Sequence, residues 1–144
     1  MTRGRDRAVS RGTVVLLLML LAGGCVYYPT VADVGGVRLQ PERGRVVRSA
    51  EGALFFADIT NTGMFEDVLV GVETPVAKRA QLVSSSGAPL TSLVVPGTSQ
   101  VRLHAGGERV ALSDLTRELK AGEVVIVTLH FSKSGALGVV SSVE

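Results

Sequence analysis

The stretch Val124–Ser132, which reads VVIVTLHFS, decides the fold class. It is rich in β-branched and aromatic residues, and its side chains alternate between an apolar and a polar set. The apolar set is Val125, Val127, Leu129 and Phe131, and the polar set is Thr128, His130 and Ser132. A period of two residues is typical of a strand with one face in the core and the other in solvent. The stretch therefore predicts a β-strand.

Outward from this strand, other short β-forming segments recur with a turn signal about every ten residues. Ala53–Thr60 (ALFFADIT) ends at the turn-forming Asn61-Thr62-Gly63, and Val68–Glu73 (VLVGVE) ends at Thr74-Pro75. The other predicted strand segments are Val37–Leu39, Val46–Arg48, Ala80–Ser84, Leu90–Val95, Gln100–His104, Val110–Leu112, Leu115–Leu119 and Gly138–Val143. At most one helical turn is expected, at Asp114–Lys120. The pattern predicts an all-β sandwich or barrel of about seven to nine short strands.

The first 24 residues have the composition of an export signal. Four arginines precede the apolar run Val14–Ala22, and Gly23-Gly24 then lead to Cys25. The run is about half of the roughly 20 residues that a permanent membrane helix needs. A buried N-terminal helix is the alternative, but it would have to pack four charges directly before the apolar run. We therefore predict a signal peptide at residues 1–24.

Leu21-Ala22-Gly23-Gly24-Cys25 resembles a bacterial lipobox, in which small residues precede a cysteine that is lipidated and becomes the acylated N-terminus. Ala22 stands where the motif usually has Leu, and Leu21 is one position further away. A lone exposed thiol is unfavourable in an exported domain, and Cys25 is the chain's single cysteine. We predict a lipoprotein anchored through Cys25, with residues 25–36 as a lipidated tether and 37–144 as the domain. Ordinary cleavage that leaves a free thiol is the alternative.

Such a protein would lie in the cell envelope, on the outer face of the cytoplasmic membrane or in the periplasm.

The net charge of an exported protein has to be counted without its signal peptide. The 144-residue chain has a net charge of +2 and a pI near 9.0. Without residues 1–24, 15 − 4 = 11 basic and 13 − 1 = 12 acidic side chains remain, so the mature charge is −1. The basic balance belongs to the leader, and we expect no nucleic-acid partner.

Catalytic chemistry has few candidate residues in this chain. The two histidines, His104 and His130, lie on the polar sides of predicted strands, and Ser84-Ser85-Ser86 reads as a turn. Nucleophilic catalysis needs a base beside the nucleophile, and no such arrangement is indicated. A blue-copper site is excluded because Cys25 lies outside the domain. We predict no catalytic residues and no enzyme.

The succession of segments resembles the periplasmic copper chaperones of the PCu(A)C type. The residues that carry the resemblance are Thr60-Asn61-Thr62-Gly63, Asp67–Val72, Thr74-Pro75-Val76-Ala77, Val101–Gly107, Leu119–Glu123 with Val124–Phe131, and Ser134–Val139. The resemblance implies a cupredoxin-like, immunoglobulin-like β-sandwich that is exported and often membrane-tethered. In that family the domain delivers copper(I) toward respiratory oxidase assembly.

The family holds copper(I) with His and Met, soft ligands suited to that ion. The resemblance implies that these ligand places are Val83, Leu90, Leu93, Arg109 and Ala111 in this chain. No metal ligand remains among them, so we predict no metal site. The aliphatic residues suggest a former metal face that either packs internally or meets a partner. The arrangement also resembles lipoproteins of high-GC Gram-positive bacteria that keep the scaffold without its ligands.

Two functional hypotheses follow. The first is a non-catalytic, membrane-tethered binding or scaffold module that has lost copper and acts on an unidentified envelope protein. The second is a copper(I) carrier with a rearranged site, formed by His104 or His130 with Met64. Met64 otherwise reads as an exposed or half-buried turn residue. The second hypothesis requires two of these three side chains to approach closely, because ligand bonds are about 2 Å long.

Overall fold

The computed structural model describes residues 36–144, and residues 1–35 lie outside the described part of the chain. The predicted signal peptide, Cys25 and nearly all of the predicted tether lie outside it. Residues 36–144 form no helix, so none of them contributes an apolar helix long enough to cross a membrane. The nine strands are β1 (Leu39–Ser49), β2 (Gly52–Asn61), β3 (Asp67–Glu73), β4 (Ala77–Val83), β5 (Leu93–Val95), β6 (Ser99–Leu103), β7 (Arg109–Leu115), β8 (Val124–Phe131) and β9 (Gly135–Val143).

All nine strands belong to one curled sheet. Its hydrogen-bonded order is β4-β7-β2-β1-β9-β8-β3-β5, and β6 joins the edge of β2 that β7 also uses. The middle link is a parallel pairing of β1 with β9, and the other pairings are antiparallel. Curling brings β3 beside β4, so that the two halves of the sheet enclose one apolar core. The all-β prediction of seven to nine strands is confirmed.

The alternation in β8 is the one that its sequence predicts. Val125, Val127, Leu129 and Phe131 are buried, while Val124 and Ile126 point outward and are exposed. Strand β2 buries three consecutive residues, Phe55–Ala57. Phe55 and Ala57 belong to the core, and on the other face the Arg45 guanidinium lies 5.4 Å from the centroid of the Phe56 ring. The core is built from Val, Leu, Ile, Ala and Phe, so it needs neither Trp nor a disulfide.

The first strand is longer than the two short β-like segments that the sequence indicates. The segments expected at Val37–Leu39 and Val46–Arg48 belong mainly to one strand, β1, which starts at Leu39. Its register against β2 shifts between Glu42 and Arg45, and Arg43 adopts a left-handed φ of 53°. A bulge of this kind inserts residues without ending the strand. The two predicted segments are therefore joined through a bulge and not separated by a turn.

Three other boundaries also differ from the prediction. Within Leu90–Val95 only Leu93–Val95 is a strand, because the Leu90 N–H bonds to Leu82 O (2.8 Å) and keeps the preceding loop along β4. The predicted segment Leu115–Leu119 is a strand only at Leu115, the last residue of β7, and the chain then turns irregularly while burying Leu119. His104 lies one residue past the end of β6.

Candidate functional site

Three of the five places that the resemblance assigns to copper ligands share one face of the β4–β7 pair. Val83 lies directly opposite Arg109, and Gln81 lies directly opposite Ala111. Residues two apart on a strand point the same way, so Arg109 and Ala111 are on the same side of β7. The other side of these strands carries Leu82, Val110 and Leu112 into the core. The face with Arg109 is therefore the outer face of this half of the sheet.

The Arg109 side chain connects two loops across that outer face. Its Nη1 donates to Ser84 O (3.3 Å), in the β4–β5 loop, and to Gly107 O (3.1 Å), in the β6–β7 loop. Carbonyl oxygens are suitable acceptors for a guanidinium, which stays protonated at any ordinary pH. The arrangement thus fixes a permanent positive charge between the two loops. A metal cation placed beside it would be repelled.

The aliphatic residues at the other places are buried or half-buried. Val83 is only 8% exposed although it is on the outer face. Leu90 and Leu93 are half-buried and pack against the main core. The resemblance left two alternatives for these side chains, packing within the domain or contact with a partner. The burial of all three favours packing within the domain. Ala111 is half-buried and offers no atom that could bind a metal.

A cleft of about 290 Å³ opens where β3 and β4 lie side by side without pairing. It is lined by Leu69, Val70, Gly71, Val72, Ala80, Gln81, Leu82, Leu90 and Thr91. The Gln81 amide donates to Leu82 O and Leu90 O, both at 3.0 Å, and so holds the loop at one wall. No ionisable side chain lines this cleft, so it offers no acid–base chemistry.

The two histidines and Met64 occupy three different places. His104, at the end of β6, lays its ring against Gly107. His130 is on β8, in the other half of the sheet, and its Nε2 lies 3.0 Å from Glu73 Oε1. Met64 is 82% exposed in the β2–β3 loop, beside Gly97 at the opposite end of β6 from His104. Among residues 36–144, no three His, Cys, Asp or Glu side chains are grouped as metal ligands would be.

The His130–Glu73 pair is the nearest approach to a catalytic arrangement. Both side chains are substantially exposed, at 38% and 69%. A nucleophilic triad would need a serine bonded to the imidazole. Within the described residues no hydrogen bond joins a serine hydroxyl to His130. We read this pair as a surface ion pair or hydrogen bond across neighbouring strands, which contributes little to stability.

Asn61 organises one end of the sheet, called the tip here: Gly36–Arg38, Thr62–Glu66 and Pro96–Thr98. It is buried, and its Oδ1 accepts the N–H groups of Gly63 (2.9 Å) and Arg38 (3.3 Å). Its Nδ2 donates to Phe65 O at 2.8 Å. Sequence reasoning predicted a turn at Asn61 correctly but missed that the amide is buried and binds the incoming chain.

Asp67, next to the tip, was not singled out by sequence reasoning. Its carboxylate is fully buried and accepts the N–H groups of Val68 (2.8 Å), Lys133 (2.9 Å) and Ser134 (2.8 Å). Burial on its own would raise the pKa of this carboxyl. The bonds from the Ser134 side chain and from the three backbone N–H groups outweigh burial, so the pKa of Asp67 lies below its ordinary value of 3.8. Asp67 therefore ties the start of β3 to the β8–β9 turn.

The curled nine-stranded sheet is that of a PCuAC domain, which has the cupredoxin-like fold. The chain superposes on the apo PCuAC domain from PmoF1 with a TM-score of 0.69 and 28% identity, covering 78% of this chain and 97% of that one. The copper-bound PCuAC domain from PmoF2 gives 0.67 and 25%, covering 78% and 96%. The copper(I) form of DR1885 from Deinococcus radiodurans gives 0.62 and 26%, covering 85% and 83%.

Within this class, the chain belongs to the family described as "Putative lipoprotein LpqE-like", whose model matches residues 32–143. It is 30% identical over 138 residues to "Putative lipoprotein Lxx21020" of Leifsonia xyli subsp. xyli, covering 88% of this chain and 83% of that protein. The resemblance seen in the sequence is thereby confirmed for the fold and the family. Neither the family nor these relatives are described as enzymes.

Proposed function

We propose that this protein is a lipoprotein of the cell envelope whose PCuAC-like domain is a metal-free, non-catalytic binding or scaffold module. The observation that carries the proposal is Arg109, whose guanidinium is bonded to carbonyls of both loops at a place that the resemblance assigns to a copper ligand. Val83, opposite Arg109, is buried and apolar. The Arg109 guanidinium already links the two loops of this face, so a metal is not required to hold them together.

The tether is the second part of the proposal. Cys25 lies outside the described residues, and the support comes from the export-signal pattern and from relatives described as lipoproteins. Several acyl chains would hold the domain firmly at the membrane surface. The domain would then act on another envelope component there, without releasing a product or carrying an ion.

We expect the mature domain to retain no copper(I) in competition with a high-affinity chelator. The physical reason is that Val83, Leu90, Leu93, Arg109 and Ala111 include no His, Met or Cys, and that the Arg109 guanidinium repels a cation. The measurement is the optical signal of the copper(I)–chelator complex as protein is added. The copper(I)-binding DR1885 of Deinococcus radiodurans serves as the positive control. Stoichiometric withdrawal of copper by this domain would refute the metal-free function.

The copper-bound relatives favour one alternative, a copper(I) carrier with a rearranged site. If the domain withdraws copper, His104→Ala and His130→Ala would identify whether either histidine holds it. The separate positions of these residues and Met64 argue against a shared site. Loss of copper binding in one of these variants would establish the carrier in place of the scaffold.

For the tether, we expect Cys25→Ser to release the protein from the membrane fraction and to abolish metabolic labelling by fatty acid. The wild-type protein, extracted with detergent, should show the added mass of acyl chains on its N-terminal residue. A wild-type protein that carries an unmodified thiol at Cys25 would show that ordinary signal cleavage occurs instead. Arg109→Leu is a matched control, because it alters the domain and leaves the lipobox intact.

A further inference from the structure

The tip carries two large apolar side chains that the core does not use. Met64 is 82% exposed and its neighbour Phe65 is 59% exposed, both in the β2–β3 loop. Isolated exposed apolar residues are common on protein surfaces. Met64 and Phe65 are adjacent in one loop, so together they expose a larger apolar surface than an isolated residue does.

The backbone of the tip is tightly held. The Thr62 N–H donates to Arg38 O (3.0 Å), and the Phe65 N–H donates to Gly36 O (3.3 Å). The Thr98 N–H donates to Gly63 O at 2.8 Å, and the buried Asn61 amide braces the same loop. The loop therefore presents Met64 and Phe65 outward on a rigid base, so that binding through them needs little further ordering.

The chain from the membrane anchor enters the domain at this same end. Phe65 lies over Gly36, where a Cβ would come within 2.6 Å of the ring. Gly36 is eleven positions after Cys25, a span of at most about 40 Å even when fully extended. The tip is therefore the part of the domain that a lipidated Cys25 would hold nearest to the bilayer.

We propose that the tip docks on the phospholipid bilayer, with Met64 and Phe65 inserted at the boundary between headgroups and acyl chains. Lys133, whose Nζ donates to Glu66 O at 2.8 Å, lies beside the tip and offsets the charge of the exposed Glu66 carboxylate. An exposed apolar pair on a rigid loop matches the boundary between phosphate headgroups and hydrocarbon. Docking would set the orientation of the domain on the membrane. This inference rests on the proposed tether, but its test does not require the cell to lipidate Cys25.

The chain has no Trp and a single Cys, which makes a clean experiment possible. The mature chain from Cys25, which contains every described strand, is coupled through that thiol to one maleimide-linked myristoyl chain. A single myristoyl chain gives only marginal binding to vesicles, so a contribution from the tip is measurable. We expect the double variant Met64→Ser, Phe65→Ser to partition into phosphatidylcholine–phosphatidylglycerol vesicles about tenfold less than wild type.

The matched control is Val140→Ser with Ile126→Ser, an equally exposed apolar pair on neighbouring positions of β9 and β8. It should leave partitioning unchanged. In a second readout, Trp fluorescence of Phe65→Trp should shift to the blue and be quenched by lipids brominated in the acyl chain, whereas that of Ile126→Trp should not. Equal partitioning of wild type and the tip variant, or insertion of position 126 instead of 65, would overturn the proposal. Insertion of the coupled tip together with an unlipidated cellular protein would reject only the tether.

Discussion

Asp67→Asn is expected to lower the free energy of unfolding by about 3 kcal/mol at neutral pH, a large part of the stability of a domain this size. The carboxylate accepts N–H groups on both oxygens, including those of Lys133 and Ser134 in the β8–β9 turn. An amide keeps one acceptor oxygen and turns an NH₂ group toward a backbone N–H. One buried donor is then left unpaired, and water cannot reach it because Asp67 is fully buried.

The effect of this substitution should depend on pH in one direction. Because the pKa of Asp67 is lowered in the folded protein, the charged carboxylate stabilises the fold at every pH above its ordinary value of 3.8. That contribution is lost as the pH falls through the lower pKa of the folded state. The difference in stability between wild type and Asp67→Asn should therefore stay constant from neutral pH to about pH 5 and shrink below about pH 4.

Denaturant unfolding followed by circular dichroism across this pH range measures the difference directly. Glu66→Gln is the matched control, since it removes a carboxylate from the adjacent, exposed position and should change stability by less than about 0.5 kcal/mol. A loss of stability in Asp67→Asn that persists unchanged at acid pH would contradict the role assigned to the charged carboxylate.

The strands that sequence predicts best are those with one buried face. In β8 and β6, apolar and polar residues alternate along the sequence in the same order as buried and exposed side chains in the structure. Predicting these strands therefore requires no information about distant contacts. The β2 segment was found for a different reason, because it is dense in β-forming residues and ends at the turn around Asn61. These features depend only on neighbours in the chain.

The features that escaped prediction depend on partners far along the chain. Two of the three backbone donors to the Asp67 carboxylate come from residues 66 and 67 positions later, and nothing beside Asp67 marks it as buried. Likewise, the residues of β1 near Arg43 suggest that the strand is interrupted. The strand nevertheless continues through its bulge, because it pairs with β2 on one side and with β9 on the other. Tertiary pairing overrides such local signals.

The candidate site could be predicted only in part. Resemblance assigned Arg109 to a ligand place from its position after Gly106-Gly107, but it could not reveal what the guanidinium does there. The structure shows that it bonds one carbonyl in each of two loops. A bound metal also joins its ligands by attracting them to a positive centre. An internal guanidinium can therefore supply the same connection without a metal ion, so a scaffold of this kind does not require copper to hold the two loops together.

We expect three substitutions in the β4–β7 pair to create a copper(I) site in this domain. In Val83→His, Arg109→His, Ala111→Met, two imidazoles would stand on directly opposed residues of β4 and β7, with the thioether two residues along the same face. Side chains on opposed residues have Cβ atoms about 5 Å apart, a separation that two ligands of one ion can bridge. The substitution at Arg109 also removes the repelling charge.

We expect this triple variant to withdraw one equivalent of copper(I) from a chelator that the wild type leaves loaded, and to gain thermal stability when copper is added. Arg109→Leu is the control, because it removes the charge and the loop bonds without adding a ligand, and it should bind no copper. It should also lower stability by about 1 to 3 kcal/mol, since two loop carbonyls lose a charged donor. If the triple variant folds with an unchanged circular dichroism spectrum yet leaves all copper on the chelator, then Val83, Arg109 and Ala111 do not mark the former site. If the wild type binds no copper, that would then need an explanation other than a valine, an alanine and a fixed internal cation at the ligand places.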